Sequence, residues 1–181
     1  MLVAGTSGSG KTTLARAIAA VLGCAHTELD SLHHGPEWEP RPEFADDVAG
    51  LVAGPAWVTE WQYSAVRALL LDRADCLVWL DLPRRLVMWR VITRTLRRRL
   101  RREVLWNGNV EPPLRTLLTD PDHIVRWAWR THARTAERMA VVLRRRPDLP
   151  IVRLRSPADV AAWVAGPLGD ASAPSATGHE R

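Results

Sequence analysis

Gly5, Gly10, Lys11 and Thr12 stand in the spacing Gly-x4-Gly-Lys-Thr, inside the stretch AGTSGSGKTTLARAI at positions 4–18. These residue types at this spacing suit one chemistry, the holding of a polyphosphate. Glycines let successive backbone N–H groups turn inward around phosphate oxygens. Gly5, Ser7, Gly8, Ser9, Gly10, Lys11, Thr12 and Thr13 are therefore the candidate ATP-binding set. Lys11 is placed to reach the β- and γ-phosphates, and Thr12 to offer its hydroxyl to Mg²⁺. Of 25 basic side chains, Lys11 is the only lysine. A compact ammonium on a slim stem fits beneath a phosphate chain where a planar guanidinium does not.

Ligands of parallel sheets bind beyond the carboxyl ends of the strands. Three acidic residues are expected there: Asp30, Glu60 and Asp81. Glu60 closes AWVTE and is the candidate to hold Mg²⁺ through water. Asp30 closes AHTELD and is the candidate to orient an acceptor or take a proton from its hydroxyl. Asp81 reads as a cap for the next helix. Each has a plainer reading, a strand-end carboxylate satisfied by nearby N–H groups.

Between Arg84 and Arg102 lies a block of arginines. Arg90, Arg94, Arg98 and Arg102 recur every four residues, with Arg97 and Arg101 beside them, so they form one helical stripe. Leu86, Trp89, Leu96 and Leu100 are expected to pack inward. Arg90 and Arg94 are candidate clamps on a transferring phosphoryl group, completed by Arg126 and Arg130. A solvated helix face or a nucleic-acid patch would give the same block.

These groups need elements to position them. Strands are read at 2–5, 25–30, 56–60, 76–81 and 151–155, several of them nearly continuously apolar, as in strands buried on both faces. Helical patterns separate them: 11–23 stopping at Gly23, 42–54, 84 to about 104, and 120–146 with Asp122 as N-cap. Alternating strands and helices imply a doubly wound α/β parallel sheet with right-handed crossovers. Residues 97–121 break the pattern and read as a lid. A domain over 1–165 would leave 166–181, small, polar and Pro/Gly-rich, as a disordered tail.

Composition excludes little but narrows the setting. At 181 residues the chain suits one domain with its own core. No apolar run approaches the ~20 residues of a membrane span, so no membrane partner is expected. MLVAGTSG lacks the pattern of a secretory leader. Cys24 and Cys76 have no metal-ligand spacing and read as buried free thiols, which makes the cytoplasm the expected setting. The +5 charge and pI near 10.4 allow an anionic partner. The pairs His33/His34 and Asp46/Asp47 read as surface residues. Nine tryptophans, Trp38, Trp61, Trp106, Trp127 and Trp129 near the expected pocket, read mostly as packing.

The chain resembles the P-loop kinases of the adenylate-kinase type, and within them the bacterial adenylate kinase-like or topology modulation proteins. The stretches that carry this are GTSGSGKTTLA, HTELDSLHHGPEWEPRPEF, WVTEWQYS, ADCLVWLDLPRRLVMWRVITRTLRR and RWAWRTHARTAERM, together most of residues 1–160. The resemblance implies a P-loop NTPase fold with a five-stranded parallel sheet in order 2-3-1-4-5. It also implies ATP·Mg²⁺ at Gly5–Thr13, a lid entered through Arg90 and Arg94, and acceptor contacts near Asp30 and WVTEWQYS. Two departures touch the acceptor site: Glu60-Trp61 stands where nucleotide kinases carry Asp-Gly, and the arginine of the family's GFPR-like turn is matched only by the later Arg67. The expected activity is transfer of the ATP γ-phosphoryl to a small, phosphate-bearing acceptor, as in nucleoside monophosphate kinases. The alternative is an ATP-binding or ATP-hydrolysing regulator associated with nucleic acid.

Overall fold

The computed structural model describes residues 1–101, 103–109 and 123–172. Its first strand, β1 (Leu2–Gly5), is buried on both faces. Leu2 and Ala4 point into one apolar cluster and Val3 into another, so a layer of helices must cover each side. In chain order follow α1 (Lys11–Leu22), β2 (Ala25–His26), α2 (Leu29–His33), α3 (Phe44–Ala53), β3 (Trp57–Glu60), α4 (Arg67–Arg73), β4 (Leu77–Leu80) and α5 (Arg84–Arg101). Then come α6 (Ile124–Arg145), β5 (Ile151–Leu154), α7 (Pro157–Ala165) and α8 (Pro167–Ser172).

All strand pairs are parallel and the order is β2-β3-β1-β4-β5, as the resemblance implied. The register pairs Val3 with Glu60 and Gly5 with Leu80, so the loop leaving β1 rises between the ends of β3 and β4. On one face Phe44, Val48 and Val52 of α3 and Leu70 of α4 pack on Leu2, Trp57 and Leu77. On the other, Leu14 and Ile18 of α1 and Val87 and Val91 of α5 pack on Val3, Val58 and Val78. Among the described residues no helix is long and apolar enough to cross a membrane.

Several expectations are corrected. β2 ends at His26, because the chain turns into α2; Asp30 sits on that helix and not at a strand end. Arg97–Arg101 are the last turn of α5, so the irregular segment starts later than residue 97. Of the rest of the expected lid, Arg102 and 110–121 lie outside the described residues, as does Asp122. The N-cap of α6 is His123, whose Nδ1 accepts from the Val125 N–H. Of the expected tail, Pro167–Ser172 are helical and Leu168 is buried, and 173–181 lie outside the described residues. Cys24 and Cys76 are half-buried thiols rather than buried ones.

The inward face of α5 also differs from the expectation. Val87, Met88, Val91 and Thr95 are buried, whereas Trp89, Leu96 and Leu100 are exposed. Two apolar rows run along this helix, and the slimmer one faces the loop. The loop approaches so closely that a Cβ on Gly8 would lie 2.2 Å from Val91 Cγ2.

Candidate functional site

The segment 5–13 wraps over the start of α1 and opens at the carboxyl ends of β1, β3 and β4. Gly8 (φ +83°) and Gly10 (φ +100°) take left-handed backbone that a side chain rarely adopts. Gly10 is the N-cap of α1, so the first free N–H groups of that helix face the loop's interior. Thr6 fixes the far end of the loop, its hydroxyl lying 3.2 Å from that of Thr135 on α6.

Lys11 opens α1 and, among the described residues, its ammonium finds only the Thr6 carbonyl, at a long 3.5 Å. Burial pushes its pKa down, and the Arg94 charge adds to this, while the carboxylates of Asp30 and Glu60 oppose both. Lys11 thus lies within electrostatic reach of Asp30, Glu60 and Arg94. Ser9 Oγ is buried with no hydrogen-bond partner among the described residues. A cavity of about 310 Å³ lies beside the loop, lined by Gly8, Gly10, Thr13, Arg90, Thr93, Arg94 and Arg97. Arg90 spans it, donating from its guanidinium to the Ser9 carbonyl at 3.2 Å.

Glu60 closes β3 as expected and is almost wholly buried, at 2% exposure. One carboxylate oxygen accepts from the Leu29 N–H at 3.3 Å; the other has no hydrogen-bond partner and faces His26 Nε2 at 3.5 Å. Burial alone would raise its pKa, but the side chains of His26 and Thr12 outweigh that and hold it below the ordinary carboxylate range. Glu60 is therefore ionised beside Thr12, the pair expected at Mg²⁺. These residues fit a Mg²⁺–polyphosphate group: a cradle that Cβ atoms would fill, a half-buried lysine and a buried carboxylate oxygen, both without a hydrogen-bonded carboxylate or donor among the described residues.

Asp30 belongs to a polar cluster that sequence reading missed. Its Oδ1 accepts from Gln62 Nε2 and from the Tyr63 hydroxyl, both at 2.6 Å. Its Oδ2 has no hydrogen-bond partner among the described residues. Burial and the Asp30 charge push the Tyr63 phenol far above its ordinary range, so it stays protonated and donates. The same hydroxyl lies 3.1 Å from His34 Nε2. His33 stacks on the Tyr63 ring at 4.0 Å, and Phe44 meets it edge-on at 5.2 Å. The histidine pair is thus half-buried packing around Tyr63 rather than free surface. Burial and His34 hold the His33 pKa low, against the pull of Asp30. Tyr63 itself has φ +57°, an uncommon conformation for a bulky residue.

The segment 103–109 closes over this corner. Asn109, 5% exposed, accepts from the Trp38 N–H at 3.2 Å and donates to the Gly35 carbonyl at 2.9 Å. Trp106 meets Trp38 edge-on at 6.4 Å and donates from Nε1 to Glu28 at 3.0 Å. Glu28 is also held by Arg16. Trp38 and Trp106 are therefore packing residues, as expected.

The remaining candidates lie on other elements. Arg126 and Arg130 are exposed on α6, Arg130 lying over the Trp127 ring at 5.9 Å. Thr135 is an α6 side chain that meets the loop, at Thr6. Asp81 does not cap α5; it pairs with Arg153 at 2.5 Å. Asp47 pairs with Arg41 at 3.0 Å. Among the described residues no cluster of three or more His, Cys, Asp or Glu forms a metal site on its own.

No family model and no curated protein matches the chain. Two solved structures are similar over nearly their whole length. One is a gluconokinase from Sinorhizobium meliloti 1021, at TM-score 0.50 and 19% identity over 94% of this chain and 93% of that one. The other is a sugar kinase from Janibacter sp. HTCC2649, at TM-score 0.47 and 20% identity over 96% of each chain. The chain has the P-loop kinase fold.

Proposed function

We propose that this protein is an ATP·Mg²⁺-dependent kinase that phosphorylates a hydroxyl of a small acceptor, with Asp30 as general base. The observation that carries this is the Asp30 carboxylate. It is fixed through Oδ1 by Gln62 and Tyr63, its Oδ2 has no hydrogen-bond partner among the described residues, and its charge reaches Lys11. A base held this way is what a neutral alcohol requires and what an anionic phosphate nucleophile does not.

Asp30 Oδ2 takes the proton of the acceptor hydroxyl as its oxygen bonds to the γ-phosphorus. The bond to the β–γ bridging oxygen then breaks and ADP leaves. Lys11 and the loop N–H groups hold the charge that spreads over the phosphoryl oxygens. Arg90 and Arg94 line the cavity beside the loop and steady the donor. Thr12 and Glu60 are the residues that would hold Mg²⁺, which when bound neutralises phosphate charge. The gluconokinase named above is in keeping with a hydroxyl acceptor.

A nucleoside monophosphate acceptor is the second reading, favoured by the arginines Arg90, Arg94 and Arg97 near the loop. ADP release from ATP·Mg²⁺ across small alcohols, polyhydroxy acids and nucleoside monophosphates tests both. Stimulation by a hydroxyl compound supports the proposal. Stimulation by a nucleoside monophosphate alone replaces it with the second reading, and no stimulation by any acceptor removes both in favour of a nucleotide-binding regulator.

A further inference from the structure

α5 sits on the molecule through Val87, Met88, Val91 and Thr95, and its second apolar row points away from them. Trp89, Ile92, Leu96 and Leu100 stand there in solvent, at 64%, 42%, 39% and 80% exposure. Steps of three, four and four residues set them in one row along the helix, roughly 16 Å long. Val104, just past the helix end, is exposed as well. Thr93, beside the row, turns its hydroxyl back to the Trp89 carbonyl at 2.8 Å, so its polar atom is already satisfied. Single exposed apolar residues are ordinary, but a contiguous row of large ones marks an interaction surface.

The charge of the helix selects the occupant. Eight of its eighteen residues are arginine and none is acidic. The nearest acids in sequence are themselves neutralised, Asp81 by Arg153 at 2.5 Å and Glu103 by Arg98 at 3.7 Å. Arg85 and Arg101 are exposed at the two ends of the helix. A second copy laid on the same row would set arginine against arginine. A nucleic-acid backbone would meet the arginines but leave four apolar side chains against phosphates. A partner helix is received in a groove, whereas this row is a ridge on the outside of one helix. A bilayer surface with anionic headgroups satisfies both halves. Its headgroup–acyl boundary takes the tryptophan and the aliphatic side chains, and its phosphates take the guanidiniums.

We propose that α5 docks this protein on an anionic phospholipid surface. Trp89, Ile92, Leu96 and Leu100 enter the headgroup–acyl boundary, and Arg85 and Arg101 donate charge-assisted hydrogen bonds to lipid phosphates. The helix lies in the plane of the surface, so no spanning run is required. The phosphate loop packs on the other row, where Gly8 meets Val91, so docking and phosphoryl transfer use different faces of one helix.

Co-sedimentation of the full-length protein with lipid vesicles tests this. One set of vesicles is phosphatidylcholine alone, and the other contains about one-third phosphatidylglycerol. The wild type is compared with two double variants, Trp89→Ser with Leu100→Ser and Arg85→Glu with Arg101→Glu. All four positions are exposed, so circular dichroism and Tm are expected to match the wild type. The wild type is expected to partition onto the anionic vesicles at least about 10-fold more strongly than onto the neutral ones, and to release as salt is raised. The apolar pair is expected to lower that partition by about 10- to 100-fold, and the arginine pair by about 10-fold or more. A wild type that does not bind anionic vesicles, or binding that survives in both double variants, overturns the proposal. Sedimentation velocity without lipid addresses the competing occupant. A wild-type dimer that Trp89→Ser with Leu100→Ser dissolves would assign the row to a second copy and overturn lipid docking; a monomer in both is the expected result.

Discussion

Replacing Gly8 with alanine separates backbone strain from close packing, because Gly23 supplies a control in the same protein. Both have left-handed backbone, at φ +83° and φ +64°. A Cβ there costs about 1–2 kcal/mol. At Gly23 the new atom meets nothing within 4 Å, so that is the whole effect. At Gly8 it would lie 2.2 Å from Val91 Cγ2 and 3.1 Å from the Val87 carbonyl. One side is backbone and the other a stiff β-branched residue, so α5 must shift, at about 1–3 kcal/mol more. For a chain of this size each kcal/mol moves Tm by about 2–4 °C. Gly23→Ala should lower Tm by about 2–8 °C, and Gly8→Ala by about 4–20 °C. Only Gly8→Ala should weaken ATP, because the helix it displaces carries Arg90, bonded to the Ser9 carbonyl. Thermal denaturation and calorimetric ATP titration read the two effects. Equal Tm shifts with unchanged ATP affinity would refute the close approach of loop to helix.

Three further outcomes follow from single side chains. Lys11→Ala should abolish phosphoryl transfer, read as ADP formation, while circular dichroism reports a retained fold. Asn109→Ala strands the Trp38 N–H and the Gly35 carbonyl, lowering stability by about 2–4 kcal/mol in denaturant titration and raising the acceptor KM. Tyr63 gives a pH dependence of known sign. Its phenol is raised above its ordinary 10.0, so the unfolded chain loses that proton first and stability falls as pH rises past 10. Denaturation curves of Tyr63→Phe should decline less steeply there than those of the wild type; parallel declines would contradict the hydrogen bond to Asp30.

The loop was legible because its chemistry is local. Eight successive or near-successive residues carry it, and the strand and helix around them have plain apolar patterns. Glu60 was legible for the same reason, as the polar end of an apolar strand. Asp30 was found, but its setting was not. Gln62 and Tyr63 reach it across 32 and 33 positions, and only the parallel pairing of β2 with β3 brings them together. The length of β2 misled because AHTELD has strand-like residues, whereas the chain turns into α2 after His26. On α5, periodicity offered two apolar rows, and loop packing at Gly8 chose between them.

The central claim is that Asp30 takes a proton from an acceptor hydroxyl, and the direct measurement is the rate of ADP formation by Asp30→Asn. Asparagine keeps the shape and can still meet Gln62 and Tyr63, but it cannot serve as the base. With a hydroxyl acceptor at saturation, kcat should fall by about 10²–10⁴-fold, while calorimetric ATP affinity changes little. A variant that turns over at the wild-type rate would contradict the account.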